Sequence, residues 1–360
     1  MKTFFIPLGL MIVLTAGIGC KKDKQGDNSS TQSSTEKKWV VSTIAGDGTG
    51  GFANGAALSA KFNAPVDVAV APDGTLYVAD YKNHRIRKIA SGQVSTLAGN
   101  NSSGILNGNG PLAQFEDPYR IALDAGGNLY VLDEHDIRIR KISPTADVST
   151  YAGTDKPGFL NGAVSIAQFQ QDEGGIVADA QGNIYIGDTF NNSIRKISAG
   201  QVSTLAGSGA EGFRDGDAGV AQFRFPDGIA FDQHGNLYVA DQGNFCIRKI
   251  TPDGLVSRFA GSGLSGSADG NAGVAQFNFI SDMVADNMGN LYVIDDNRIR
   301  KVTPEGVVST ITGSTAGYGY VDGDGTSARF AGLAGLAIDA QGNIYTADIN
   351  NNRIRKISFE

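Results

Sequence analysis

A hexapeptide recurs six times along this chain with small variations, and its spacing limits the folds available to the sequence. It reads VSTIAG, VSTLAG, VSTYAG, VSTLAG, VSRFAG and VSTITG, and begins at Val41, Val94, Val148, Val202, Val256 and Val308. The starts are 53, 54, 54, 54 and 52 residues apart. A fixed period of this length is typical of a solenoid, propeller or similar array, in which each unit buries its apolar faces against its neighbours.

Each repeat carries three further apolar segments in a constant order. The first is a short run such as Val68–Val70, the second resembles Leu-Tyr-Val-Ala-Asp, and the third is Ile-Arg-Lys-Ile or Ile-Arg-Lys-Val. Runs of this kind, bounded by Gly, Asn and Asp, predict strands joined by hairpin turns. Four strands in each of six units predict an all-β fold, a six-bladed β-propeller of four-stranded antiparallel blades.

The two ends of the chain indicate how the ring closes. The first segment of the repeat to appear, Trp39–Ala45, is an outer strand with no blade of its own, whereas the chain stops at Ile354–Glu360, a third strand. We expect these two segments to pair, because pairing removes an open seam of backbone donors and acceptors.

The N-terminal residues have a different composition from the repeats. Lys2 precedes an apolar stretch that ends at Gly19-Cys20, which predicts a signal peptide over residues 1–19. The cysteine resembles the lipidated residue of a bacterial lipoprotein lipobox, and the charged residues after it resemble the start of Bacteroidetes-type lipoproteins. The resemblance implies a lipid-anchored protein of the outer membrane, with residues 20–38 as a flexible tether and residues 39–360 as the propeller. The alternative is an ordinary signal peptide, with Cys20 removed by cleavage.

The net charge limits the possible binding partners, and the cysteine content limits the possible disulfide bonds. The formal net charge is -7, and removal of residues 1–19, which hold one lysine and no acid, changes it to -8. A surface this acidic repels phosphate backbones, so nucleic acid is a poor candidate partner and we predict none. The two cysteines, Cys20 and Cys246, form no disulfide if Cys20 carries lipid, and Cys246 is interpreted as a small buried thiol.

Residues 226–250 resemble the NHL repeat, with the segments PDGIAFD and GNLYVAD followed by the strand CIRKI. Residues 82–86 contain Asn-His-Arg-Ile intact, and the resemblance covers six units from about residue 41 to residue 360. It implies a six-bladed propeller that acts as a binding platform for proteins or, in some eukaryotic members, RNA. Related six-bladed folds include lyases and lactonases with a metal in the central channel.

Comparison among the repeats separates scaffold from candidate site. The Asp that ends each second segment recurs six times, as does an Asn/Asp-Gly turn eight residues before a Phe, so both are interpreted as scaffold. Asp215-Gly-Asp217 and Asp322-Gly-Asp324 are interpreted as turns of this kind, and calcium binding there stays open as an alternative. We predict no other cofactor.

The positions just before each inner strand vary in charge and size from blade to blade. If the propeller is correct, six side chains ring one mouth of the channel and form a candidate ligand-binding site: Asp67, Tyr119, Arg120, Glu173, Asp227 and Asp282. Four acids around one arginine suit a cation, an amine or a polar sugar. The alternative is a solvated funnel in which the variation has no function.

Two functions therefore compete. The first is a monomeric, lipid-anchored, non-catalytic module that binds a protein or a polar small molecule or glycan on the loop face. The second is a metal-dependent hydrolase or lyase sited in the channel. The three histidines, His84, His135 and His234, are expected to lie too far apart to hold one ion, and no catalytic set is recognisable. The sequence therefore favours the binding module and predicts that no transition metal is bound.

Overall fold

The structure is a computed structural model that describes residues 36–170, 174–314 and 317–360. Residues 37–360 form one unit, and its described part contains six antiparallel sheets. The inner strands of the sheets contact one another in a closed cycle, which makes each sheet one blade of a propeller. The predicted all-β, six-bladed fold is confirmed. The predicted signal peptide and Cys20 lie outside the described residues.

Each blade has four main strands, named here inner, second, third and outer from the channel outward. In blades 1 and 2 they are Pro65–Val70, Leu76–Asp80, Arg85–Ala90 and Gln93–Ala98, then Pro118–Leu123, Leu129–Asp133, Arg138–Ile142 and Asp147–Ala152. In blades 3 and 4 they are Ile176–Ala178, Ile184–Asp188, Ser193–Ser198 and Gln201–Ala206, then Pro226–Phe231, Leu237–Asp241, Cys246–Ile250 and Leu255–Ala260. In blades 5 and 6 they are Ile280–Ala285, Leu291–Asp295, Arg298–Val302 and Val308–Gly313, then Leu333–Ile338, Ile344–Asp348, Arg353–Phe359 and Trp39–Ala45.

The predicted closure of the ring is present in blade 6. Trp39 pairs with Phe359 and the ladder continues to Ala45, which pairs with Ile354. Lys38 N donates to Glu360 O at 2.6 Å, so the ladder extends past the strand ends. The Trp39 ring also packs on Phe359, with centroids 5.1 Å apart. The first and last strands of the described chain therefore share one blade, which leaves no open seam there.

A short fifth strand, which the sequence analysis did not predict, covers the outer strand of five blades. These two-residue strands are Gly55–Ala56, Gly108–Asn109, Gly162–Ala163, Gly216–Asp217 and Gly323–Asp324. They begin at the glycine of each Asn/Asp-Gly pair, where the loop runs antiparallel to the outer strand of its own blade. In blade 5 the same contact is a single bridge between Gly270 and Val308.

A buried arginine anchors each long loop to its blade. The arginine of the third strand is completely buried in all six blades: Arg87, Arg140, Arg195, Arg248, Arg300 and Arg355. Arg87 Nη1 donates to Asp80 Oδ2 at 2.6 Å, and its Nη2 donates to Asn54 Oδ1 at 2.7 Å. The Phe62 ring, fully buried, lies 5.2 Å from the Arg87 guanidinium. The recurring Asp, Asn and Phe are therefore scaffold, as predicted, and the buried arginine heads form ion pairs with the recurring Asp.

The propeller has two faces that differ in chemistry. One, the long-loop face, carries the loops that enter each blade and the turns between second and third strands, where short 3-10 helices occur: Tyr81–Asn83, Glu134–Asp136, Thr189–Asn191, Gln242–Asn244 and Ile349–Asn351. The entering loops hold two more, Ala57–Ser59 and Gly110–Leu112. The other, the hairpin face, carries the turns between inner and second strands. Among the described residues, no helical segment has the length and hydropathy of a membrane span.

Candidate functional site

Three of the predicted site residues meet in one layer across the channel. Asp67, Arg120 and Asp282 occupy the same position in the inner strands of blades 1, 2 and 5. The other three blades have glycine there: Gly175, Gly228 and Gly335. A Cβ atom on Gly335 would lie 1.9 Å from Asp67 Oδ1, so the absence of a side chain makes room for that carboxyl group.

Arg120 extends across the channel from blade 2 to blades 5 and 6. Its Nη1 donates to Ala334 O and its Nη2 to Ser281 O, both at 2.8 Å. Nη2 also lies 3.8 Å from Asp227 Oδ1 of blade 4. The side chain is 2% exposed. An inner strand has one edge without a neighbouring strand, and Arg120 supplies hydrogen-bond donors to two of those edges.

Asp67 and Asp282 bind the inner-strand edges of neighbouring blades through their carboxyl oxygens. Asp67 Oδ2 accepts from Ile121 N, and Asp282 Oδ2 accepts from Leu336 N, both at 2.7 Å. Burial and the nearby Asp282 raise the pKa of Asp67 to about 8, although Arg120 opposes the shift. Burial also raises the pKa of Asp282. The layer therefore connects four blades and contains two carboxyl groups that resist ionisation.

The remaining predicted residues lie beside this layer or outside the described residues. Asp227 is 2% exposed, and the Tyr119 ring lies 4.9 Å from the Arg120 guanidinium and edge-on to Tyr81. Glu173 lies outside the described residues. Asp67, Asp227, Asp282 and Arg120 thus lie inside the channel in contact with protein groups, whereas the sequence analysis placed them around its mouth.

A pocket of about 330 Å³ occupies the channel between this layer and the hairpin face. The inner strands of all six blades line it. Asp67, Arg120 and Asp282 belong to its lining at the end where the layer lies. The remainder of the lining comes mainly from apolar residues such as Ile229 and Leu336.

A second, larger cavity of about 570 Å³ lies between blades 5 and 6 on the long-loop face. We call it the blade 5/6 groove, and its lining consists of Asn278, Phe279, Asp296, Asn297, Arg298, Ser314, Gly317, Tyr318, Gly332, Leu333 and Asn350. In blade 5 two residues separate Asp295 from Arg298, whereas the equivalent turn of blade 6 has four between Asp348 and Arg353. Within the described residues blade 5 alone has no 3-10 helix in this turn, which leaves the space open.

The sequence analysis missed this groove although a signal for it was present. The second and third segments start ten residues apart in five repeats and eight apart in the fifth, Leu291 to Ile299. Comparison of side-chain types at aligned positions overlooked this difference in length. Two aromatic side chains of the groove are exposed, Tyr318 by 76% and Phe279 by 43%.

Two of the three histidines approach one aspartate on the long-loop face. His135 Nδ1 lies 2.7 Å from Asp117 Oδ2, and His84 Nδ1 lies 3.8 Å from Asp117 Oδ1. His84 Nδ1 is also within 2.5 Å of Glu116 O. The inner strand of blade 2 begins directly after Asp117, and this brings the turns of blades 1 and 2 together. His234 lies in a turn of the hairpin face, away from both.

The residues considered for calcium have protein partners. Asp215 Oδ1 accepts from Arg248 at 2.5 Å, and Asp322 Oδ1 accepts from Arg355 at 2.6 Å. No group of three His, Cys, Asp or Glu suited to a metal ion occurs in the part of the chain that the structure describes. Cys246 is completely buried, as predicted, and burial raises the pKa of its thiol to about 12.

Comparison with known proteins agrees with the geometry of the blades. The NHL repeat profile matches residues 62–89 and 223–250, in blades 1 and 4. The chain carries NHL repeats. The matched segments span the buried Phe of the entering loop, the inner and second strands and most of the third strand. The predicted resemblance is confirmed for the repeat and for the fold.

Relatives of this NHL propeller are much longer proteins. It is 32% identical over 230 residues to the Arabidopsis thaliana protein "SUPPRESSOR OF QUENCHING 1, chloroplastic". This alignment covers 58% of this chain and 22% of that protein. It is 28% identical over 279 residues to human NHL repeat-containing protein 2, covering 67% of this chain and 38% of that protein. The chain therefore spans less than two thirds of the length of these relatives.

Solved structures share the fold at low identity. A Bacteroides thetaiotaomicron protein of unknown function has a TM-score of 0.70 at 21% identity, covering 90% of this chain and 77% of that one. An auxiliary nutrient binding protein from the same species has a TM-score of 0.68 at 18% identity with the same coverage. A Xanthomonas campestris gluconolactonase has a TM-score of 0.57 at 13% identity and covers 89% of both chains.

Proposed function

We propose that this NHL propeller is a non-catalytic binding module of the bacterial cell envelope, and that it contacts its ligand with the long-loop face. One observation carries the proposal: large exposed side chains that differ from blade to blade lie on this face, such as Tyr318 and Phe190. The hairpin face, apart from exposed residues such as Met288, repeats one turn in five blades, in which an Asp accepts hydrogen bonds from the Asn four residues later. Variation on one face of a repeat scaffold favours recognition there.

The envelope location rests on the N-terminal sequence, with Cys20 as the lipidated residue and the membrane contacted through that lipid. The likeness to an auxiliary nutrient binding protein of Bacteroides thetaiotaomicron agrees with such a location. The ligand we propose is a protein or a polar small molecule or glycan, bound by a monomer. The net charge of -7 disfavours nucleic acid.

Blocking each face in turn tests the proposal. Phe190→Cys and Met288→Cys, each made together with Cys20→Ser, introduce exposed thiols on the long-loop and hairpin faces, since Phe190 is 45% and Met288 78% exposed. The buried Cys246 does not compete for a maleimide. The labelled full chain is then applied to an array of microbial, plant and host glycans and to immobilised envelope proteins. Polyethylene glycol attached at position 190 should abolish retention, whereas the same polymer at position 288 should not. The reverse pattern would contradict the proposal.

A second candidate is a metal-dependent hydrolase or lyase that uses the channel. The 330 Å³ pocket favours it, because Asp67 lies at one end with its pKa raised to about 8, in the range of a general acid or base. The gluconolactonase shares only the fold with this chain. The test is turnover of a series of lactones with added calcium, magnesium or manganese. Turnover that is lost in Asp282→Asn would favour the enzyme over the binding module. We expect no turnover.

A further inference from the structure

We propose that the blade 5/6 groove binds a neutral carbohydrate, with Tyr318 as the surface on which a sugar ring packs. The inference names the ligand class and the site of the binding function proposed above, and it rests on that function. The volume of about 570 Å³ lies within the range of roughly 300–1,000 Å³ that is usual for small-ligand sites. The groove belongs to one blade junction, so the needs of the repeat do not explain it.

The aromatic side chains of the groove supply flat apolar surface. Tyr318 is 76% exposed and Phe279 is 43% exposed, although both side chains are large and burial would be favourable. A pyranose ring presents a face of C–H groups that covers such a surface, while its hydroxyl groups remain at the edge. Tyr318 also offers a phenolic hydroxyl beside that ring face.

Amide and carboxyl groups surround this surface. Asn278 Nδ2 donates to Asp296 Oδ2 at 3.1 Å, and Asn297 Oδ1 accepts from Gly332 N at 2.7 Å, so these side chains are held in place. Asn350 is exposed on the blade 6 side. An amide donates and accepts hydrogen bonds at once, and a sugar hydroxyl does the same. A purely apolar ligand would cover these groups without replacing their bonds to water, at a cost in free energy.

The charge of the groove disfavours an anionic ligand. Arg298 is the cationic side chain of the lining, but it is 4% exposed and donates to Asp295 Oδ2 at 2.7 Å and to Ser267 O at 3.3 Å. Asp296 adds a negative charge near the open side. A phosphate or carboxylate ligand would meet this charge without an available cation. Neutral polyhydroxylated ligands therefore fit better than acidic ones.

Titration of the full chain with neutral oligosaccharides of glucose, mannose, xylose and galactose tests the proposal by calorimetry. At least one series should bind, and Tyr318→Ala and Asp296→Ala should each weaken that binding about ten-fold or more, which is about 1.4 kcal/mol. Phe159→Ala is the matched control, because Phe159 is 48% exposed on the same face in blade 3 and its ring lies 4.7 Å from the guanidinium of the scaffold residue Arg195. It should leave the affinity within about two-fold.

A second variant closes the groove from the blade 5 side and keeps the lining residues of blade 6. Replacement of Asp296–Asn297 by the four residues Ile349–Asn352 of blade 6 restores the turn length of the repeat. We expect circular dichroism like that of the wild type and no detectable binding. If this replacement fails to fold, the two alanine variants still decide the question.

Three results would overturn the inference. Binding of an oligosaccharide that both alanine variants retain would place the sugar outside the groove, and loss of that binding in Phe159→Ala would locate the sugar in blade 3 while the long-loop face function stands. Binding of choline but of none of the sugars, lost in Tyr318→Ala and Asp296→Ala, would replace the ligand class by a cation that stacks on the aromatic rings. Absence of any sugar binding, with envelope-protein retention intact in the face-blocking experiment, would refute the carbohydrate and leave the binding module.

Discussion

The channel layer and the blade 5/6 groove are both departures from the six-fold repeat, but the molecule uses the two departures in opposite ways. In the channel, Asp67 and Arg120 are 4% and 2% exposed and bind backbone groups of other blades. In the groove, Tyr318 is 76% exposed and Asn350 is also exposed. One region closes the inner edge of the ring, whereas the other leaves polar and aromatic groups in water.

The difference shows that a departure from the repeat has two explanations. A ring of similar blades still needs its inner edges joined, and one long side chain with two carboxyl groups does this for four blades. A departure from the repeat that enlarges a cavity and exposes side chains does not join blades to one another. Burial and partners, and not rarity among the blades, therefore distinguish a structural departure from a recognition site.

The largest expected effect is on the channel layer. Arg120→Ala removes the donors to Ala334 O and Ser281 O and leaves two acids without their cation. Removing one member of a buried charged set typically costs about 3–5 kcal/mol. We expect a loss of this size in the free energy of unfolding, measured by urea denaturation.

Arg224→Ala is the matched control for that substitution. Arg224 Nε lies 2.7 Å from Glu211 Oε1, with the two side chains 47% and 50% exposed. Exposed pairs of this kind contribute about 0–1 kcal/mol. Equal losses in the two variants would show that the channel layer does not stabilise the ring and would remove the distinction drawn above.

The pH dependence of stability should respond to Asp67. Burial and Asp282 raise its pKa in the folded protein to about 8, while in the unfolded chain it is about 4. The stabilisation that the Asp67 carboxyl group contributes is fully present below about pH 4 and is lost as the pH rises to about 8. Between these values the carboxyl group is ionised in the unfolded chain but still protonated in the folded protein. Asp67→Asn should remove a slope of up to about 1.4 kcal/mol per pH unit from that window.

Asp232→Asn is the control, because folding shifts the pKa of Asp232 in the opposite direction to that of Asp67. Although burial opposes the shift, hydrogen bonds from the Asn236 side chain and backbone lower the pKa of Asp232. Its stabilisation is present above the unfolded pKa and is lost on acidification, so this variant should leave the slope between pH 5 and pH 8 unchanged. An unaltered slope in Asp67→Asn would mean that Asp67 is already ionised in the folded protein.

A smaller effect is expected where an exposed aromatic residue covers a scaffold arginine. The Phe213 ring lies 4.5 Å from the Arg248 guanidinium and 4.3 Å from that of Arg258. Phe213→Ala should lower the free energy of unfolding by about 1 kcal/mol. Phe213→Leu should lower it less, because the leucine side chain still shields the arginine stems from water. If neither change alters thermal stability, aromatic residues of this type also belong to the recognition surface.

The blade count and ring closure could be predicted from the sequence because both are properties of the repeat. The VSTIAG-type segments mark each outer strand, and the spare strand at Trp39 defines where the chain closes. The fifth strand at Gly55–Ala56 was missed since a two-residue pairing leaves no periodic pattern. The sequence left open whether the Arg87 head is in water or paired with Asp, because an arginine stem is compatible with either surface or interior until its acid partner is located.

Much less of the candidate site could be predicted. The alignment of blades correctly brought Asp67, Arg120 and Asp282 to one level, because equivalent strand positions lie at equal depth. It gave no information on direction, and all three turn into the channel toward other blades. The pairing of His84 and His135 with Asp117 depends on contacts between neighbouring turns, which a single repeat does not encode.

The smallest expected effect on stability is in the groove. Tyr318→Ala removes an aromatic residue that is 76% exposed, and surface changes of this kind usually stay within about 0.5 kcal/mol. Urea denaturation should therefore give nearly the wild-type free energy of unfolding, even where oligosaccharide affinity falls ten-fold. A loss of 2 kcal/mol or more would mean that Tyr318 packs as part of the blade junction, and the groove would then join the channel layer as a structural departure from the repeat.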